Sequence, residues 1–308
     1  MFKVLAIDGG GVRGIYPASF LLWFETQSQI CLHNYFDLVV GTSTGGIIAL
    51  ALAAEIPLSK VVELYSTKAS KVFKPRRWNP WSVRVAKYAN DELIKELKSI
   101  FGRSALKDLR CPVCIPSIDL VTGRAKIFRP KRSEPDHEHT ESMAAWQAAA
   151  GTSAAPTYFP AFKFESNGIV TNFADGGLWA NNPTLVGIEE ALARGAKFGE
   201  IDILSLSTGN PVFETPAHHN FGGLMSWRDK IVDIAFLAQA QGTELIIRRL
   251  CGTSYCRINE VLPSKQALDD LSVIPTLRKR ATEKAQSVAK ELLPRFFTHR
   301  SERSLSNP

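Results

Sequence analysis

The stretch Val39-Val40-Gly41-Thr42-Ser43-Thr44-Gly45-Gly46, continuing as Ile47-Ile48-Ala49-Leu50-Ala51-Leu52-Ala53-Ala54, decides how the chain is read. An apolar strand runs into a Gly-x-Ser-x-Gly turn and straight out into a helix-forming segment. On an α/β sheet this arrangement lifts a serine hydroxyl to the end of the strand on a strained turn. Gly41 and Gly45 leave room for the tight backbone and for an approaching substrate. Taken alone, the pentapeptide has a plainer reading as an ordinary βα turn, where Gly and Ser are common. Its neighbours must decide.

Before it, Phe2 to Ile7 is a short apolar run that predicts a buried first strand. The loop Asp8-Gly9-Gly10-Gly11-Val12-Arg13-Gly14 follows, then helical spacing from Ile15 to about Gln29. Tyr35 to Val40 is the second strand and enters the serine turn. After it, Thr44 to Glu55 is small and apolar on all sides, as in a buried helix of a sheet-flanking layer. Leu58 to Val72 predicts an amphipathic helix, and Asp91 to Phe101 another. Val113 to Leu120 and Ala125 to Phe128 read as a strand pair across Thr122-Gly123. A helix is expected over Glu141 to Ala150, and a strand over Gly168 to Phe173 that delivers Ala174-Asp175-Gly176-Gly177. A helix then runs to about Gly195, followed by a buried strand from Ile201 to Leu206. Trp227 to Leu250 reads as largely helical, and Pro275 to Leu293 as a final helix with its proline in the first turn. The pattern predicts an α/β fold, a central mostly parallel sheet with helices on both faces. One domain is expected over 1–308, with the motifs in 2–210 and a helical C-terminal part in 221–293.

Composition sets outer limits. The chain has 308 residues, 45% hydrophobic and 22% charged, as in an ordinary globular protein. The longest uninterrupted apolar run, Ile47 to Ala54, falls far short of the roughly 20 residues that span a bilayer. Asp8 interrupts the N-terminal apolar stretch, so the start lacks the layout of a signal peptide and a cytoplasmic location is expected. The five cysteines are odd in number and expected to be reduced there. Cys111-Pro-Val-Cys114 has the spacing of half a zinc site, but no second half follows, and buried small hydrophobes are the better expectation. His137-x-His139 is a weak metal signal in a polar loop. No metal or other cofactor is expected.

The net charge of +7, from 37 basic and 30 acidic residues, favours anionic surfaces without choosing between nucleic acid and lipid headgroups. In residues 68–87, seven lysines and arginines are interleaved with Phe73, Trp78 and Trp81. Two readings of this excursion stand side by side. It can meet a lipid headgroup region, where tryptophans and basic residues collect, or be a solvated loop whose tryptophans tuck into the core.

Three glycine-rich loops follow apolar strands, at 8–14, 41–46 and 175–177. In an α/β sheet such loops at strand carboxyl ends build the site. The first formally matches G-x-G-x-x-G (Gly9, Gly11, Gly14), so a dinucleotide-binding protein is one alternative. The second strand, however, ends in Val39-Val40-Gly41-Thr42 without the acidic residue that would hold a ribose. Consecutive glycine N–H groups opening a helix make an anion-binding nest, which acyl transfer needs for its oxyanion. Ser43 needs a base. His218, His219 and His299 lie after Asp175 but in polar, loop-like or terminal settings. Asp175 follows a strand directly, and its carboxylate can itself be the base if partly desolvated; the plain alternative is an Asp-Gly-Gly turn.

In combination and order, Asp8 to Gly14, Gly41 to Gly45, Ser153-Ala-Ala-Pro-Thr-Tyr-Phe-Pro160, Asp175-Gly-Gly177 and Asn181-Asn-Pro183 resemble the patatin-like phospholipases. The resemblance covers roughly residues 2 to 210. It implies a three-layer patatin-like fold and a Ser43–Asp175 dyad without histidine. Gly9, Gly10 and Gly11 would form the oxyanion hole, with Arg13 beside them, and Gly41 and Gly45 the nucleophile elbow. It implies a phospholipase A-type hydrolase that acts on membrane glycerophospholipid at the inner membrane surface, not on DNA or RNA. Short bacterial proteins of this kind include anti-phage effectors switched on by a cyclic nucleotide. That activator and homo-oligomerisation are therefore expectations to weigh against a constitutive esterase.

Overall fold

A computed structural model describes residues 1–76, 85–130, 143–209, 227, 230–262 and 266–301. The strands are β1 (Phe2–Ile7), β2 (Leu38–Gly41), β3 (Val113–Asp119), β4 (Arg124–Phe128), β5 (Phe162–Ser166), β6 (Ile169–Asp175), β7 (Ile201–Leu206) and β8 (Tyr255–Ile258). They form one sheet in the order β5-β6-β3-β2-β1-β7-β8, with β4 paired to β3 off this path. From β3 to β8 the sheet is parallel. β4, β5 and β6 are antiparallel additions. The sheet is mixed, with a parallel centre.

Strand period fixes the layers. Leu5, Ile7 and Val39 turn to one face and join the larger core; Val4, Ala6, Leu38 and Val40 turn to the other. The first face is covered by α1 (Ile15–Gln27), α2 (Thr44–Ala53), α6 (Ala145–Thr152) and the last helix, α10 (Ile274–Phe296). The second is covered by α8 (Thr184–Ala193) through Val186, Ile188 and Ala191, and by Ile247 of α9 (Ile231–Cys251). Every residue of α2 is buried. The expected three layers are present.

Four local readings are corrected. The segment Leu58 to Val72 is not one helix: α3 (Leu58–Glu63) passes through a π-helical turn, Leu64–Lys68, into the short α4 (Ala69–Val72). Such turns break the 3.6-residue register that sequence periodicity reports. α5 (Asp91–Phe101) stands as expected, whereas the helix expected at 141–150 is displaced to Ala145–Thr152. The strand at 168–173 is longer, ends at Asp175, and has an unforeseen partner in β5. Asn167 and Gly168 join them with φ of 50° and 76°, the left-handed pair that a two-residue hairpin turn demands. β8 was also unforeseen, because a charged residue, Arg257, occupies its middle.

Of the 68–87 excursion, the described part folds back. Pro75 bridges to Tyr88, and the Phe73 ring meets Tyr88 edge-on and Phe159 at a tilt. Lys68 pairs with Glu63 and Glu96. Trp78 and Trp81 lie outside the described residues, as do His137, His139, His218 and His219. Cys111 and Cys114 are buried, as expected of small hydrophobes. No helix among the described residues is long and apolar enough to cross a membrane.

Candidate active site

The turn between β2 and α2 is a strained elbow. Ser43 has φ 54° and ψ −122°, a left-handed backbone that a non-glycine residue keeps only when its surroundings hold it. A Cβ on Gly41 would come within 2.2 Å of the Gly45 carbonyl oxygen, and one on Gly45 within 2.2 Å of the Ile7 oxygen. Glycine at both positions lets the elbow cross the end of β1. The Ser43 N–H donates to Thr152 Oγ1 at 2.9 Å, and Thr42 Oγ1 donates to the Ala180 carbonyl at 2.5 Å. The strain is held by the Thr152 side chain from α6 and by a backbone carbonyl of the segment after Asp175.

Asp175 ends β6, where Ser117 of β3 is its register partner. Its side chain is fully buried. Oδ1 accepts the Gly177 N–H at 2.7 Å, while Oδ2 has no hydrogen-bond partner. Burial pushes the carboxyl pKa up to about 7, against the opposing pull of the Ser43 hydroxyl and the Gly177 N–H. The Ser43 hydroxyl thus lies within reach of the carboxyl, while Oδ2 itself has no closed hydrogen bond. Catalytic contacts of this kind often tighten only when substrate arrives. A carboxylate titrating near neutrality is suited to taking a hydroxyl proton.

The glycine loop folds over the same point. The Gly9 N–H donates to the Asn181 carbonyl at 3.0 Å, and its own carbonyl accepts from Thr208 Oγ1 at 2.7 Å. Gly9 is therefore committed to structure. Among the described residues the N–H groups of Gly10 and Gly11 make no hydrogen bond, nor does that of Thr44 at the start of α2. Of the three glycines expected to donate to an oxyanion, Gly10 and Gly11 keep an unpartnered N–H among the described residues, as Thr44 does. Arg13 is buried and its Nε donates to the Gly10 carbonyl at 3.2 Å, so it fixes the loop from behind.

Sequence reasoning missed what anchors this loop. Arg257, at mid-β8, donates from Nη1 to Asp8 Oδ1 at 2.8 Å and from Nη2 to Oδ2 at 2.5 Å. Both side chains are buried, and Nη1 also reaches Ser205 Oγ at 2.8 Å. The pair joins residues 249 apart in sequence, and no local signal announces it. Of the histidines weighed as a base, only His299 is among the described residues. His299 sits where its carbonyl accepts from Lys3 Nζ at 2.8 Å, at the opposite end of β1 from the serine turn. His33 pairs with Glu55.

Ser43, Asp175 and Gly11 share a cavity of about 600 Å³ that opens to solvent. Its walls are otherwise mostly apolar: Ile47 from α2, Leu64 and Tyr65 from the π-helical turn, Val72, Phe159 and Phe236. Tyr65 and Thr44 are hydrogen-bonded through their hydroxyls. The arrangement brings together a serine hydroxyl, a buried carboxyl, unpartnered N–H groups and an apolar slot, the features a nucleophilic hydrolysis would need.

The chain is similar to known proteins. The family model of patatin-like phospholipases matches residues 5–188. A "cGAMP-activated phospholipase" of Pseudomonas aeruginosa is 31% identical over 98% of this chain and 93% of its own length. A protein of the same description from Vibrio cholerae is 28% identical over 87% of this chain and 84% of its own. The Arabidopsis thaliana patatin-like protein 4 is 33% identical over 61% of this chain and 51% of its own.

Proposed function

The chain belongs to the patatin-like phospholipase family and is a lipid ester hydrolase; from that premise we propose that it releases fatty acid from membrane glycerophospholipids through Ser43 and Asp175. One observation carries the reading. Ser43 and Asp175 line one largely apolar cavity, and one carboxyl oxygen of Asp175 has no hydrogen-bond partner. In the proposed reaction Ser43 Oγ attacks the ester carbonyl while Asp175 accepts its proton. The N–H groups of Gly10 and Gly11 hold the oxyanion, and the apolar walls take the acyl chain. The lysophospholipid leaves with the proton from Asp175, and water then hydrolyses the acyl-enzyme. Such a route needs no histidine. The substrate reaches the enzyme at the inner membrane surface.

The relatives' description supports a second element, activation by a cyclic nucleotide in anti-phage defence. Incubation of the protein with phospholipid vesicles, with and without a panel of cyclic dinucleotides, tests both. Fatty-acid release should appear or rise strongly with one nucleotide. Ser43→Ala and Asp175→Ala should each lower the stimulated rate by about a thousandfold or more without unfolding the protein. Substantial turnover in either variant excludes the dyad. Full activity unaffected by every nucleotide makes the enzyme a constitutive lipase instead.

A further inference from the structure

The segment Thr152-Ser153-Ala154 crosses between the two candidate catalytic side chains. Thr152 Oγ1 accepts the Ser43 N–H, and the Ala154 carbonyl accepts the Asp175 N–H at 3.0 Å. Ser153 lies between these tethers and lines the cavity together with Ser43 and Asp175. It is only 8% exposed, yet its Oγ has no hydrogen-bond partner. A buried hydroxyl left in that state costs about 1–3 kcal/mol. The neighbours Ala148, Ala149, Ala150, Ala154 and Ala155 are small and apolar, and an alanine at 153 would avoid the cost. Among the described residues that line this cavity, the other buried side-chain atom without a partner is Asp175 Oδ2.

Two free acceptors beside the nucleophile match the second half of the reaction better than the first. A serine hydroxyl has one proton to give and needs one base. Water has two O–H groups: one must face the base, and the other needs an acceptor if the oxygen is to be aimed. We propose that Ser153 holds the deacylating water, its Oγ accepting one O–H while Asp175 Oδ2 accepts the other. The water oxygen then bonds to the acyl carbonyl carbon and its proton passes to Asp175. Collapse of the tetrahedral species breaks the carbon–Ser43 Oγ bond, and Asp175 returns the proton to Oγ. Free fatty acid leaves and the enzyme is restored. This assignment rests on the acyl-enzyme route above.

Methanol separates this role from a structural one, because it has a single O–H and no use for the second acceptor. Wild type and Ser153→Ala are compared by stopped flow on a p-nitrophenyl ester of a medium-chain fatty acid, in buffer with and without methanol. In Ser153→Ala the nitrophenolate burst should persist within about twofold. The steady rate should fall about tenfold, the loss of one hydrogen bond's worth of barrier. The acyl adduct on Ser43 should become visible by intact-protein mass. The ratio of methyl ester to free acid should rise by about the same factor. That ratio is set per acyl-enzyme, so a partly unfolded preparation does not disturb it. Equal slowing of both phases, or an unchanged product ratio, overturns the role of Ser153. Turnover by Ser43→Ala in the same assay would instead remove the acyl-enzyme itself.

Discussion

At the scale of a single residue, the environment of Asp175 sets two linked expectations. Its folded pKa is about 7 because burial disfavours the ionised form, against about 3.9 in an unfolded chain. The base must be ionised to act, so kcat/KM on a soluble ester should rise with unit slope up to about pH 7 and then level. The same shift has the opposite sign for stability. Between pH 4 and 7 the folded state binds more protons than the unfolded one, so stability falls as pH rises through that window. Above pH 7 the full cost of holding a buried carboxylate is present. Asp175→Asn should therefore be inactive yet more stable than wild type at pH 8, by about 2 kcal/mol or more, and the gain should vanish near pH 4. Urea unfolding at the two pH values measures it. An equal ΔΔG at both would mean that Asp175 ionises without penalty.

At the scale of elements, β8 is where function reaches beyond the region that the family model matches. Its Arg257 holds Asp8, the residue that launches the glycine loop, from the far side of the sheet. Arg257→Met leaves the Asp8 carboxylate buried without its partner, which typically costs 3–5 kcal/mol. Stability should drop by about that amount in a denaturant titration. The double variant Asp8→Asn with Arg257→Met should regain much of it, while turnover stays low because the loop has lost its tether. Strict additivity of the two single changes would show that the pair is not coupled. Such a pair was beyond sequence reading for a physical reason. Periodicity and turn chemistry are local, so they expose β1, the Ser43 elbow, α2 and the Asp175 turn, whose apolar runs and glycines lie within one segment. Arg257 reads as an interruption of an apolar run until the fold sets it opposite Asp8. β5 escaped because its alternation, Phe162 and Phe164 against Lys163 and Glu165, lasts only five residues. The π-helical turn escaped because one extra residue per turn is invisible to a 3.6-residue pattern. Within the site, the glycine loop and both candidate catalytic residues were legible; which glycine N–H groups stay free was not, since that depends on Asn181 from another element.

At the scale of the whole molecule, the balance of 37 basic against 30 acidic residues bears on where the enzyme meets its substrate. A lipid ester hydrolase meets its substrate at a surface, and charge is one force that can bring it there. A juxtamembrane basic residue contributes about 1 kcal/mol toward an anionic leaflet, and salt screens that attraction over a Debye length of about 10 Å at 0.1 M. Cations such as Arg129 and Arg295 are paired within the fold, with Glu190 and Asp202; each such pair uses one base and one acid, so the excess of +7 stays on the remaining groups. Hydrolysis of vesicles rich in phosphatidylglycerol should therefore exceed that of neutral phosphatidylcholine vesicles by about tenfold at low ionic strength, the effect of one to two net surface contacts. Raising the salt to about 0.5 M should erase most of the difference. A soluble p-nitrophenyl ester, which needs no surface, should be hydrolysed at the same rate throughout, and this control separates adsorption from chemistry. If salt slows both substrates in parallel, charge acts on the site itself and surface attraction has no part in the rate.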